Sequence, residues 1–314
     1  RRQTPLPSAP RGTGRAGIYS GGGWCGPWDM GSRELCRWQF VGFNCFLRWF
    51  IKGTASTLEI PPFQRIAVVG AGLIGGSVLL AGARRGLAAE FSCWSRSEAS
   101  RRLLADLRVA TVHARVEDCV RGADLVVVAT PVDRIEETFA AIGPALAPGT
   151  LVTDAGSVKV AILRAAVRLP ASVTFVGAHP MAGSEKAGAA HASAELYAGR
   201  ACFITPTGAA PRAAVDRVTA FWQGLGCRTC ECTAEHHDEI VAAISHVPHA
   251  AASALMLAVS DQPGFRVDAA GSGLRDATRI AAGEENLWLG ILLANAPHVV
   301  AGLRSVEARV AELR

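Results

Sequence analysis

The chain has 314 residues, 50% of them hydrophobic, which fits a soluble globular protein of two domains with apolar cores. Its net charge of +5 resides wholly in residues 1–64, where eight Lys/Arg stand against three acids. The rest of the chain is neutral and has no field to attract a polyanion, so no nucleic-acid partner is expected.

Nine cysteines without a framework spacing, in a chain long enough to do without disulfides, point to a reducing compartment, and the cytoplasm is expected. The apolar stretch VGFNCFLRWF is cut by Asn44 and Arg48, well short of the ~18 uncharged apolar residues of a membrane span, so no membrane partner is expected. Residues 1–60 begin with Arg, are rich in Gly, Pro, Arg and Trp, and carry neither a strand nor a helix period. They read as disordered, or as sequence upstream of the natural start.

From Arg65 the pattern changes. RIAVVG reads as a buried strand, GLIGGSVLLAGARRG as a helix opening on glycines, and FSCW as a second strand. The helix EASRRLLADL, a short extended piece near Val112, the acidic turn VEDCVRGAD and the apolar strand LVVVATPV follow. TLVTDAG and VTFVGAHP supply two more strands around the helix KVAILRAAVRL. Apolar strands alternating with helices predict an α/β, doubly wound parallel sheet over residues 61–232.

After Thr205 come the helix RAAVDRVTAFWQGLG and the short strand CRTCECT, and residues 233–314 then read as wholly helical. AEHHDEIVAAISHVPHAAASALMLAVS and NLWLGILLANAPHVVAGLRSVEARVAEL have almost no polar face. Such helices need other helices to bury them, most simply those of a second copy, so a homodimer through this region is expected.

VVGAGLIGGS carries Gly70, Gly72 and Gly75 in G-x-G-x-x-G spacing between a strand and a helix. The first glycine allows the turn, the second admits a pyrophosphate, and the third lets helix and strand approach. Leu73 and Ile74 open the helix, whose N-terminus attracts phosphate. Thr130 and Pro131, after the strand LVVV, are the remaining cofactor-binding candidates. An NAD site normally places an acid ~20 residues on. Here the place reads CWSRS: Ser95 and Ser97 offer hydroxyls and Arg96 a guanidinium suited to a 2′-phosphate, so NADP is favoured over NAD.

Four further blocks follow in order: TDAGSVK (153–159), GAHPMAGSEKAG (177–188), HDEIVAAISHVPH (237–249) and GLRDATRIAAGEENLW (273–288). With VVGAGLIGGS they resemble the prephenate/arogenate dehydrogenases of tyrosine biosynthesis, over about Arg65 to Ala301. The chain is expected to stop before that family's last C-terminal helices.

The resemblance implies NAD(P)-dependent oxidative decarboxylation, with hydride leaving C4 of a cyclohexadienol ring and the ring carboxylate leaving as CO₂. It makes His179 the proton acceptor, its backbone restricted by Pro180, and places Ser157 beside it to bond the C4 hydroxyl or fix the imidazole tautomer. Arg279 is implied as the anchor of the ring carboxylate, with Asp276 one turn earlier to hold it by an i,i+3 pair.

His246, in a helix that Pro248 must interrupt, is implied to contact the substrate's side chain. His249 either shares that surface or packs at the dimer seam. The resemblance also implies that Ser184 and Glu185 belong to a substrate-gating turn, and Trp288 either closes the pocket or is plain core.

The cysteines and histidines of CRTCECTAEHH lie too close together on an expected edge strand to be read as a metal site, and no metal is expected. Prephenate is the expected substrate. Arogenate dehydrogenase and a non-catalytic dinucleotide sensor are the alternatives.

Overall fold

The computed structural model describes residues 63–183 and 188–314. The expectation for residues 1–60 lies outside the described residues, as do Ser184 and Glu185. The first half alternates strand and helix: β1 (Phe63–Val69), α1 (Leu73–Arg84), β2 (Ala88–Trp94), α2 (Glu98–Leu107), β3 (Thr111–Val112), α3 (Val116–Val120), β4 (Leu125–Val128), α4 (Ile135–Ile142), β5 (Leu151–Asp154), α5 (Val160–Ala165) and β6 (Thr174–Pro180). Then come β7 (Ala201–Pro206), α6 (Arg212–Gly224) and β8 (Arg228–Glu231).

The strands form one sheet in the order β3-β2-β1-β4-β5-β6-β7-β8. Four successive residues of β1, Ile66 to Val69, are buried because helices cover both faces. Ile66 and Val68 enter one core with Leu79 and Trp222, while Ala67 and Val69 enter the other with Phe139 and Val128. This is the period-2 alternation of a strand between two layers.

Two local expectations need correction. The sheet is parallel from β3 to β6, but β7 runs antiparallel to β6 and β8 runs parallel to β7, so the last two strands are reversed. Among the described residues between β6 and β7 there is a single 3₁₀ turn, Ala189–His191, and an antiparallel neighbour needs no crossover. The stretch VEDCVRGAD is not merely a turn, since Val116–Val120 is a short helix that buries Cys119 and Val120.

The helical part comprises α7 (Ala234–Val241), a π-helical turn (Ala242–His246), α8 (Val247–Ser260), α9 (Ser272–Thr278), a 3₁₀ turn (Arg279–Ala282), α10 (Glu285–Ala294) and α11 (Ala296–Leu313). Pro248 therefore does not interrupt its helix. It sits in the first turn of α8, and the wide turn before it accommodates the missing N–H, so Ala234–Ser260 runs on as one helix. That helix is long and apolar enough to cross a bilayer. Its inward side buries His237, Asp238, His246 and His249 among apolar residues, and these four polar residues carry the site.

Candidate active site

Because β1, β2, β4, β5 and β6 are parallel neighbours, their C-terminal ends share one edge of the sheet, and the loops leaving them converge there. The strand order reverses between β1 and β4, the crevice where open α/β sheets hold ligands.

The three glycines at this crevice act differently. Gly70 has φ +94°, and a Cβ there would lie 2.7–2.8 Å from the backbone of Ala129 and Thr130. Only glycine permits the turn from β1 to abut the loop after β4. A Cβ on Gly75 would lie 2.5 Å from the Gly70 carbonyl oxygen, so this glycine sets the approach of α1 to β1.

Gly72 faces open space, with nothing within 4 Å of its Cβ position. No side chain caps α1, and its first turn contains the amides of Leu73 and Ile74. An uncapped helix N-terminus behind an open glycine fits a phosphate group.

Ser95, Arg96 and Ser97 follow the end of β2 at the same edge. Ser97 caps α2 by accepting from the Ser100 amide at 3.3 Å, and Arg101 donates to the carbonyls of Ser95 (2.6 Å) and Arg96 (3.0 Å). These bonds fix the loop and leave the Arg96 side chain exposed. Thr130 and Pro131 leave β4 beside Gly70, and the Thr130 hydroxyl bonds that of Thr138 at 3.3 Å.

His179 is the penultimate residue of β6 and is buried, paired across the ladder with Phe203 of β7. Its Nδ1 lies 2.8 Å from Nε2 of His237, and Nδ1 of His237 lies 2.7 Å from Oδ1 of Asp238. Thr233 caps α7 by accepting from the His236 amide, which fixes the turn that brings His237 and Asp238 inward.

Burial pushes the Asp238 carboxyl up, but the hydrogen bond from His237 and the amides of Val160 and Lys159 hold it below the ordinary carboxylate value. As a carboxylate it only accepts, so His237 carries its proton on Nδ1 and offers a lone pair at Nε2. His179 therefore donates from Nδ1 and keeps a lone pair on Nε2. Burial first, then the His237, Lys159 and His246 charges, hold His179 well below its ordinary value, so the imidazole is neutral.

Of the two roles expected of Ser157, the bond to the imidazole is not formed here. The residue that fixes the imidazole tautomer is His237, and the Ser157 hydroxyl has no hydrogen-bond partner among the described residues. Sequence reasoning missed His237 and Asp238, which are adjacent in the chain but 58 and 59 positions from His179.

A chain of contacts leads onward. Nδ2 of Asn295 donates to the Asp238 carbonyl (2.7 Å) and to Nδ1 of His246 (3.1 Å). Burial pushes the His246 imidazole down to about 4. His246 meets Trp288 edge-on at 6.3 Å, and His249 stacks on the same indole at 3.5 Å and 11°.

His246 is thus engaged by Asn295, whereas the buried Nδ1 of His249 has no partner among the described residues. Gly283 is required here, since a Cβ would fall 2.2 Å from Nε1 of Trp288. Trp288 is half-buried, joining this cluster to the core beneath the sheet.

Arg279 begins the 3₁₀ turn four residues before Gly283, so one protomer connects it to the imidazole cluster. Arg279 and Asp276 line one open depression with Met256, Arg275 and Thr278. The expected i,i+3 pair is absent: among the described residues Arg279 forms no ion pair. The winding changes at Thr278, where φ is −110° and ψ −2°, and this breaks the register between the two side chains.

Residues 84–231 match the family model described as prephenate dehydrogenase, nucleotide-binding domain, and residues 233–314 match prephenate dehydrogenase, dimerization domain. This chain belongs to the prephenate dehydrogenase family.

It is 35% identical over 263 residues to a cyclohexadienyl dehydrogenase of Zymomonas mobilis, covering 79% of this chain and 89% of that protein. It is 32% identical over 247 residues to a prephenate dehydrogenase of Bacillus subtilis, covering 73% of this chain and 64% of that protein.

Among solved structures it resembles prephenate dehydrogenase from Aquifex aeolicus in complex with hydroxyphenyl propionate and NAD+ (TM-score 0.74, 28% identity, 82% of this chain and 91% of that one). Synechocystis arogenate dehydrogenase gives a TM-score of 0.68 at 27% identity, over 80% and 90% of the two chains. The chain is therefore an oxidoreductase of this family, with a nucleotide-binding sheet and a family dimerization domain.

Proposed function

We propose that this protein oxidises prephenate at ring C4 and releases the ring carboxylate as CO₂, yielding 4-hydroxyphenylpyruvate, with NADP favoured over NAD. One observation carries the reading: a neutral, buried His179 whose Nε2 has no partner among the described residues, at the sheet edge that holds Gly70, Gly72 and Gly75. The glycine turn and the first turn of α1 would hold the dinucleotide, which when bound would supply the hydride acceptor.

Nε2 of His179 accepts the C4 hydroxyl proton, a role worth ~10²–10⁴ in rate. The imidazolium that results donates from Nδ1 to His237, and the Asp238 carboxylate opposes the new charge from behind. The free Ser157 hydroxyl serves the C4 hydroxyl, Arg279 grips the ring carboxylate, and Nδ1 of His249 meets the side chain beside Trp288. Ser184 and Glu185 are proposed to bear on the same substrate.

A second reading, arogenate dehydrogenase, is favoured by the histidines at the side-chain end. A neutral imidazole can donate to a keto oxygen or accept from an ammonium group, which suits a cyclohexadienyl scope. Initial rates with prephenate and arogenate, each with NAD and NADP, decide the matter. Prephenate with NADP is expected to give the highest kcat/KM. A higher value for arogenate would favour the alternative, and dinucleotide binding without turnover of either substrate would favour a non-catalytic sensor.

Cofactor choice has its own test. Arg96→Ala is expected to raise the KM for NADP about tenfold or more, the loss of a charge-assisted contact to a 2′-phosphate, and to leave that for NAD within about twofold. Equal effects on both would remove the assignment.

The helical half is proposed to form a homodimer. No residue of α9 or of the Arg279–Ala282 turn is buried, and Leu257, Leu289 and Leu293 are more than half exposed on α8 and α10. Short helices gain their stability from packing, so a second copy is the natural cover. A light-scattering mass of one chain would end this reading.

A further inference from the structure

Lys159 lies in the loop between β5 and α5 and is fully buried. Its side chain pairs with Oδ2 of Asp154, and its Nζ also donates to the carbonyl of Ala178 at 2.7 Å. Oδ1 of Asp154 accepts from the Ala178 amide at 3.1 Å. The buried pair therefore holds both ends of the residue that precedes His179.

It does so where the sheet stops. The β5–β6 register ends at Thr153 opposite Val176, so beyond that point these side chains replace strand pairing on that flank of β6. The backbone of Lys159 serves the other end of the histidine: its amide donates to Oδ1 of Asp238 at 2.7 Å, the oxygen that also accepts from His237.

We infer that Lys159 is the positioning residue of the His179 imidazole, holding its backbone through Ala178 and its ring through Asp238 and His237. An apolar residue of equal volume would fill the space but would leave the Ala178 carbonyl without its donor, and the strand end free to shift. A buried ammonium has a second effect. It is a like charge to protonated His179 and so favours the neutral base. The groups whose charges act on His179 are His237 from α7, which touches it, Lys159 from the β5–α5 loop and His246 from the π turn.

The inference rests on the reading of His179 as the proton acceptor. Lys159→Met is expected to lower kcat about 100-fold, to keep the KM for prephenate within about threefold, and to leave dinucleotide affinity unchanged. The acid limb of kcat/KM is expected to move to higher pH, because removing the ammonium lets His179 protonate more readily. A purely structural lysine would lower the melting temperature without moving that limb, and this outcome would overturn the inference.

If burial of an unpaired Asp154 prevents folding, the neutral pair Asp154→Asn/Lys159→Met is measured instead. The same fall in kcat with unchanged dinucleotide affinity is expected, and an undiminished kcat overturns the inference. His179→Asn, run alongside, separates the two ideas. If it retains full activity the reading of the site fails, whereas if it alone is inactive only the role of Lys159 fails.

Discussion

Replacing His179 with asparagine is expected to lower kcat by about 10²–10⁴, the usual worth of a positioned general base. The amide of Asn retains a donor toward Nε2 of His237, so the fold and dinucleotide affinity should persist. Initial rates and a dinucleotide titration measure the two effects. A variant with wild-type turnover would remove His179 from the chemistry.

The pH dependence has a definite sign. His179 is held well below its ordinary value of 6.5, chiefly by burial and then by the charges around it. The active form is the neutral one, present above the depressed value and lost as pH falls through it. The acid limb of kcat/KM in the wild-type protein should therefore lie below pH 6.5.

Arg279→Ala is expected to raise the KM for prephenate about 100-fold, equivalent to two charge-assisted hydrogen bonds of about 1.5 kcal/mol each. Dinucleotide affinity should be unaffected. Arg279→Lys should recover only part of the loss, because an ammonium cannot present two parallel donors to a carboxylate. The side chain is exposed and forms no ion pair among the described residues, which leaves it ready for an anionic group. Weakened dinucleotide binding with an unchanged KM for prephenate would overturn the assignment.

Much of the sheet was legible because its signals are local. RIAVVG and LVVV are uninterrupted apolar runs, and a strand covered on both faces needs nothing else. The glycine turn was legible for a similar reason, since each glycine answers a steric demand within a few residues. The direction of β7 was not, because nothing in the apolar pattern of a strand says which way it runs beside its neighbour. β7 itself escaped notice, as ACFITP is short and runs into the helix signal that follows.

The site divides in the same way. His179 stood out beside Pro180 in a recognisable block. His237 read as one member of a cysteine- and histidine-rich stretch, and its real partner lies 58 residues away, beyond any periodic pattern. Lys159 looked unremarkable among three lysines. The available signal was its setting: a single cation between two apolar runs, LVTD and VAIL, where a solvated surface charge has no place. The missing Asp276–Arg279 pair shows the opposite error, since i,i+3 spacing implies contact only while the helical winding stays constant.

The π turn at Ala242–His246 has a consequence for everything after it. Such a turn contains one residue more than α-helical winding needs, so the rest of the helix is rotated by about 100° relative to an unbroken one. The phase of α8 is thereby set by a count of residues. Shortened by one, the same sequence would swing His249 about a quarter of a revolution off the indole, with every hydrogen bond of the sheet intact.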